Sequence, residues 1–254
     1  RDLLRLSHPL ARTNSQNALF QWVTAKGLEG FVAEPKKGKP VSAKDLPASV
    51  ELFEQTRHTK DKKLVLRAIR DHRFTHEMVP SEWKNDRDVW ATLLDEMPMT
   101  AMLRSLAKMT AVGLLGPLNG PTRKIVKSLN DANKLKKARL HPLSILGAWK
   151  VYAQGHGEKG QLSWTPNAEI VAALEDAFSL AFTTLESTNK RHLLAIDVSG
   201  SMTCGTLAGL PGVNPRLGSA AMAMVTAKTE TAAHFMGFSH HLVELGITRK
   251  SSLA

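Results

Sequence analysis

Apolar residues recur at intervals of three and four through most of residues 1–187, and this spacing predicts amphipathic helices. In the clearest helix, Thr165–Leu185, Thr165 can cap the N-terminus and Pro166 suits the first turn. The other predicted helices are Lys60–His72, Asp88–Glu96, Thr100–Val112, Pro121–Asn130 and Pro142–Ala153. Short helices joined by short turns favour a stack of helical pairs. Residues 36–44, rich in Pro, Gly and Lys, are predicted to form an exposed loop.

The pattern changes after a polar joint at residues 186–190. The apolar run Leu193–Ile196 predicts a buried strand, and an acidic, serine-rich turn follows it. Beyond this turn we predict, in order, a Gly/Pro-rich loop at Thr203–Arg216, a buried helix at Leu217–Thr229, and strands at Ala233–Phe238 and His241–Ile247. Strand, helix, strand is the opening of a parallel α/β sheet, and one helix cannot cover both of its faces. The predicted domains are therefore 1–187, helical, and 188–254, α/β.

Composition narrows the class of protein. Of the 254 residues, 43% are hydrophobic, which is enough for one large domain or two small ones. The one cysteine, Cys204, cannot form an internal disulfide, which favours a reducing compartment. We find no run of ~20 apolar residues and no signal-peptide pattern, so we expect a cytoplasmic protein without a membrane partner.

The charge is concentrated in the helical part. The formal net charge is +11, and 29 of the 34 Lys and Arg against 20 of the 23 Asp and Glu precede residue 191. The densest basic run is Lys134–Arg139. Such a run is compatible with a solvated helix face, but also with a surface for phosphate groups, whose contacts are independent of sequence.

Asp197, Ser199 and Ser201 alternate at the predicted carboxyl end of the first strand. They would converge where α/β sheets bind ligands, and hard oxygen ligands suit Mg²⁺. The other interpretation is a strand-to-helix turn stabilised by an Asp or Ser cap.

Catalytic motifs are missing from the sequence. Neither Ser199 nor Ser201 lies in a GxSxG elbow, there is no phosphate loop, and His72 and His76 are not part of an HExxH zinc motif. We expect no enzymatic activity.

Four motifs occur in one order: RDLLRLSHPL, LLDEMPMTAMLRSLAKMTAVGLL, KKARLHPLSILGAWKVYAQGHGEKGQLSW and KRHLLAIDVSGSM. Together they resemble the Ro autoantigen family, in which a TROVE domain precedes a von Willebrand factor A domain. The resemblance implies a ring of HEAT-like helical repeats, binding of small noncoding Y RNAs and of single-stranded 3′ ends of misfolded RNAs, and a role in RNA quality control and ribonucleoprotein assembly. It also suggests an exoribonuclease as a partner.

The resemblance carries specific expectations for single residues. RNA contacts are expected at Arg5, His8, Lys124, Lys134, Lys136, Lys137, Arg139 and His141, although His8 before Pro9 would also serve as a local cap. Mg²⁺ or another divalent cation is expected at Asp197, Ser199 and Ser201. We expect the TROVE-like part to be incomplete at its N-terminus and the A domain to be its N-terminal part, which leaves the metal site incomplete. The alternative function is a metal-dependent protein-binding A-domain module on a helical scaffold.

Overall fold

The computed structural model describes residues 2–25, 43–157 and 160–253. Most of the predicted loop at residues 36–44 lies outside these ranges. The chain divides into two compact units, Arg1–Glu96 and Met97–Ala254. In the described ranges, no helix has the length and apolar character needed to span a bilayer.

The first unit is helical. In its described residues, 2–25 and 43–96, the α-helices are α1 Asp2–Ser7, α2 Asn14–Ala25, α3 Ala48–Arg57, α4 Lys62–His72 and α5 Arg87–Glu96. Helix α4 begins where Asp61 accepts the backbone N–H of Lys63 at 2.8 Å, and it buries Val65, Ala68 and Ile69. A side-chain cap and one apolar stripe are the features that a stable surface helix requires. The predicted helices at 60–72 and 88–96 are confirmed.

The second unit begins with five helices, which are α6 Met99–Ala111, α7 Gly120–Leu129, α8 Ala132–Lys137, α9 Pro142–Gln154 and α10 Ala168–Ala181. Helix α10 packs against α7, α8 and α9. The predicted cap of α10 at Thr165 is wrong. The helix begins after Asn167, whose side chain accepts the N–H of Glu169 at 2.9 Å, and Pro166 lies before the cap.

A three-stranded sheet follows, with strands β1 Arg191–Asp197, β2 Ala232–Phe238 and β3 Leu242–Glu244 in that order. Strands β1 and β2 are parallel and are connected through helix α11, Pro215–Thr229, as predicted. Strand β3 is antiparallel to β2 and shorter than the predicted 241–247. The reason is that Leu245 and Ile247 leave the strand to pack beside Phe235.

Helix α11 covers one face of this sheet. Ala223 and Ala227 on the helix and Phe235 on β2 form a small buried cluster, with Leu194 and Ile196 packed against it. Because side chains alternate along a strand, Leu193 points to the other face, where it is 72% exposed. The described residues are therefore mainly helical and end in a small α/β part.

Candidate functional site

The basic run of residues 134–137 lies on helix α8. The helix begins at Asp131, which accepts the N–H of Lys134 at 3.1 Å, and it is anchored by Leu135, whose side chain is fully buried. Lys134, Lys136 and Lys137 are all exposed. Leu135 alone thus anchors this helix, and its three lysines remain in contact with water.

Helix α7, which precedes α8 in the chain, also has exposed positive side chains. It buries Ile125 and Leu129, and Arg123, Lys124 and Lys127 are exposed. Between residues 119 and 141 the chain has seven Lys and Arg and one acidic residue, Asp131. We call the exposed cations Arg123, Lys124, Lys127, Lys134, Lys136 and Lys137 the basic face.

Two lysines of the basic face, Lys134 and Lys136, make weak polar contacts. The Nζ of Lys134 donates to the Oγ of Ser128 at 3.3 Å, which links α8 to α7. The Nζ of Lys136 lies 3.3 Å from Glu186 Oε1, in a pair whose side chains are 60% and 84% exposed. A pair this exposed contributes at most about 1 kcal/mol, so a phosphate can displace the carboxylate at little cost.

Arg139 and His141 occupy different environments from the basic face. Arg139 is exposed but adopts a left-handed backbone conformation, with φ of 51°. His141 is the N-cap of α9, where its Nδ1 accepts the N–H of Leu143 at 3.2 Å. Burial lowers the pKa of His141, which favours the neutral ring that this acceptor role requires. Only its Nε2 is left for a further contact, and it adds no charge.

Arg5 and His8 lie in the first unit, at the end of α1. Both are exposed, and His8 follows the last helical residue with φ of 43°. Helix α1 ends at Ser7, directly before His8, and the Oγ of Ser7 donates to the carbonyl of Leu3 at 2.6 Å.

The structure brings Asp197, Ser199 and Ser201 together at the end of β1. The carboxylate of Asp197 accepts the N–H of Ser199 at 2.8 Å, and the hydroxyls of Ser199 and Ser201 are 3.0 Å apart. Hydrogen bonds from Ser199 lower the pKa of Asp197, so its carboxylate is ionised at neutral pH. A short 3₁₀ helix, Gly200–Thr203, holds the second serine in place.

Among these three residues, the two serines are spaced like neighbouring ligands of a magnesium ion. Two adjacent ligands of an octahedral Mg²⁺ with bonds of about 2.1 Å lie about 3.0 Å apart, which is the separation of the two hydroxyls. The residues supply one charge and three side chains with oxygen donors. In the described parts of the chain there is no cluster of three or more His, Cys, Asp and Glu side chains suited to a metal.

Sequence reasoning missed a cavity in the second unit. It is an open cavity of about 440 Å³ between α6, α9 and the loop residues Gly209–Pro211, and Arg104 and Arg139 are among its lining residues. Arg104 lies 35 positions before Arg139 in the chain. No local spacing links the two, and only the packing of the helices brings them to one cavity.

Comparisons with known proteins agree with this architecture. Residues 47–151 match the model of the TROVE domain, and residues 191–254 match that of the Ro60 vWA domain. The RNA-binding protein RO60 of Deinococcus radiodurans is 35% identical over 253 residues, which are 99% of this chain and 45% of that protein. The protein of the same name from Caenorhabditis elegans is 39% identical over 201 residues, 79% of this chain and 31% of that protein.

A solved structure gives the same result. The crystal structure of the Deinococcus radiodurans RO (RSR) protein superposes with a TM-score of 0.80 at 35% identity, over 99% of this chain and 49% of that one. The chain thus spans about half the length of the solved structure and less than half the length of the two RO60 proteins. Two domain models matched in order, relatives above 30% identity and a shared fold lead to one conclusion. The chain belongs to the Ro family, in which a TROVE domain is followed by a von Willebrand factor A domain.

Proposed function

We propose that this chain binds RNA through its helical part. The observation that carries the proposal is the basic face, whose six exposed cations lie in a stretch of chain, residues 119 to 141, that has one acidic residue, Asp131. The RNAs are small noncoding RNAs of the Y type and the single-stranded 3′ ends of misfolded RNAs. The role is RNA quality control and ribonucleoprotein assembly in the cytoplasm, with an exoribonuclease as a partner and without catalysis by this chain.

The chemistry of the basic face suits this substrate class. Ammonium groups contact phosphates irrespective of the bases, and each contact releases counterions. A protein that accepts many misfolded RNAs needs such sequence-independent contacts. The two RO60 relatives are named RNA-binding proteins, which supports the same conclusion.

A salt series tests this proposal. With about five phosphate contacts, log affinity falls against log salt with a slope of about −4. Filter binding of a structured RNA with a free 3′ single strand, at increasing salt, measures the slope. Affinity that does not change with salt, or no preference over a blunt duplex, contradicts the proposal.

Substitution locates the surface. The triple variant Lys134→Gln, Lys136→Gln, Lys137→Gln should weaken all RNAs to a similar degree, by about tenfold or more, and make the salt slope shallower by about 2. The matched control removes three exposed lysines elsewhere, Lys60, Lys63 and Lys250, with the same change in net charge. Equal losses in both variants would mean that only the net charge matters, and binding within twofold of wild type would exclude the basic face.

The second element of the proposal is a divalent cation at Asp197, Ser199 and Ser201. Ser199 and Ser201 are neutral and Mg²⁺ gives up its water reluctantly, so binding in the millimolar range is expected from one carboxylate. Calorimetric titration with MgCl₂ should detect heat with wild type and none with Asp197→Ala. RNA binding should be the same in both proteins, and its loss in Asp197→Ala would place the RNA at the metal loop.

A further inference from the structure

The cavity between α6, α9 and residues Gly209–Pro211 has the composition of a ligand site. Its volume of about 440 Å³ falls within the range of small-molecule pockets, roughly 300–1,000 Å³. Apolar side chains, among them Leu103, Leu106 and Leu140, line it. None of its lining residues is acidic.

Two cations of the cavity are available to a ligand. Arg104 and Arg139 are both exposed at their positions, and neither guanidinium pairs with a carboxylate within the residues that the structure describes. Guanidinium groups recognise phosphate through paired N–H donors, and two of them without an acidic partner attract a dianion. The hydroxyls of Thr100 and Ser144 also line the cavity and have no side-chain partner among those residues.

The walls of the cavity are firmly held. Leu106 and Tyr152 are at most 2% exposed. The hydroxyl of Tyr152 lies 2.8 Å from that of Thr110 and accepts the N–H of Asn167 at 3.2 Å. On the loop side Leu210 packs against α9 at Gly147, so closely that a Cβ on Gly147 would lie 3.0 Å from its Cδ2. The apolar side of the cavity, which we call the apolar slot, is therefore preformed and binds a ligand without the cost of ordering its own walls.

Arg139 also connects the cavity to the basic face. It follows the last residue of α8, Lys137, by two positions, and its N–H bonds to the carbonyl of Lys136 at 3.0 Å. Its left-handed conformation is one that glycine adopts more easily, yet an arginine is held there. Strain of this kind is concentrated at functional sites.

We propose that this cavity binds one nucleotide unit, with the base in the apolar slot and the phosphate between Arg104 and Arg139. The hydroxyls of Thr100 and Ser144 serve the polar edge of the base or the ribose. The nucleotide is either free or an unpaired nucleotide of the RNA on the basic face, and in the second case the inference rests on the proposed function. No bond is made or broken in this site.

The test is calorimetric titration with uridine 5′-monophosphate, uridine and inorganic phosphate. We expect the monophosphate to bind more tightly than either of its parts, because only it uses the slot and the arginines together. Arg104→Gln should weaken it by about tenfold or more, the effect of losing a hydrogen bond to a charged group. Ala107→Leu should weaken it by filling the slot without changing charge, because Ala107 lines the cavity. The matched control is Arg216→Gln, which removes an exposed arginine of α11 outside the cavity and should bind like wild type.

The outcomes separate the possibilities. If a single-stranded hexauridylate displaces the monophosphate and weakens with Arg104→Gln, the site serves bound RNA, and if it does not displace, the site takes a free nucleotide. No heat with the monophosphate, or equal binding by wild type, Arg104→Gln and Ala107→Leu with unchanged circular dichroism, overturns the inference. The lysine triple variant reports on the proposed function separately, since its three positions do not line the cavity.

Discussion

The helices and the sheet of the second unit bury their apolar residues to very different degrees. In the helical segment, residues 99–184, large side chains such as Leu106, Ile145 and Leu174 are buried almost completely. On the three strands, among the described residues, Phe235 is the one large side chain that is buried, while Leu193 is 72% and Leu242 63% exposed. The helices pack against one another and bury their apolar side chains between them, whereas the sheet buries apolar side chains on the one face that helix α11 covers.

The difference in burial implies that the helical segment is more rigid than the sheet. A closed core is rigid and can present lysines on short helices such as α8 with one anchor each. A sheet covered on one face has fewer buried contacts and opens at a lower free energy. The basic face and most of the cavity that holds Arg104 and Arg139 lie on these helices, whereas Asp197, Ser199 and Ser201 lie at and just beyond the end of β1.

The contrast is tested most sharply by replacing one leucine in the helical segment and one in the sheet with alanine. Leu174→Ala removes a fully buried side chain of α10 and should lower the free energy of unfolding by about 3 kcal/mol. Leu193→Ala on β1 should change it by less than about 0.5 kcal/mol, since that side chain is already exposed. Urea unfolding followed by circular dichroism measures both, and equal losses would refute the contrast.

The next largest loss of stability is expected when a buried polar contact inside the helical segment is removed. Tyr152→Phe removes the hydroxyl that receives the N–H of Asn167 and pairs with Thr110. A buried donor without its acceptor costs about 1–2 kcal/mol of stability. The ring packing on Trp164, at 6.2 Å between centroids, is kept in this variant and serves as its internal control by near-ultraviolet circular dichroism. No loss of stability would mean that water replaces the hydroxyl and that this part of the core is not closed.

A smaller effect of opposite sign is expected at Arg139. Arg139→Gly relieves the left-handed backbone at the end of α8 and should raise stability by about 0.5 kcal/mol, after the entropy of glycine in the unfolded chain is subtracted. Arg139→Ala retains a Cβ and should give no such gain. The thermal midpoint of each variant distinguishes them. A loss of stability in Arg139→Gly would mean that the guanidinium stabilises the fold rather than a ligand.

The last expectation concerns pH and the joint before β1. Glu230 is buried and accepts the N–H of Thr188 at 2.9 Å and the hydroxyl of Ser187 at 2.8 Å. The hydrogen bond from the Thr188 N–H has the largest effect and lowers the pKa of Glu230 below its ordinary value of 4.5. The hydrogen bond from Ser187 and the charge of the nearby His192 lower it further. The ionised form therefore stabilises the fold above that value, and the contribution is lost as the pH falls through the lower, folded pKa.

Stability curves in acid test this linkage. Wild type should lose unfolding free energy below about pH 4.5 more steeply than Glu230→Gln, which has no carboxylate to protonate there. Parallel curves for the two proteins would show that the joint does not couple to pH. The helical substitution Leu174→Ala should shift the curve without changing its shape.

The elements that could be predicted from the sequence are those set by local pattern. The apolar stripe of residues 62–72 follows from spacing alone, because side-chain direction repeats every 3.6 residues in a helix. In β1 the continuous apolar run predicted a buried strand, and burial alternates instead, because helix α11 covers one face of the sheet and Leu193 on the other face is exposed. The bounds of α10 were wrong at its start because Thr165 and Asn167 can both cap a helix, and the burial of Asn167 against Tyr152 decides between them.

The site residues divide in the same way. The sequence by itself determined the alternation of Asp197, Ser199 and Ser201 and the charge of residues 123–139, since both are properties of neighbours along the chain. Only the tertiary structure decided that His141 is half-buried and that Arg104 shares a cavity with Arg139. The physical reason is that the role of a polar side chain depends on its burial and its partners, and both are set by the packing of segments far apart in the chain.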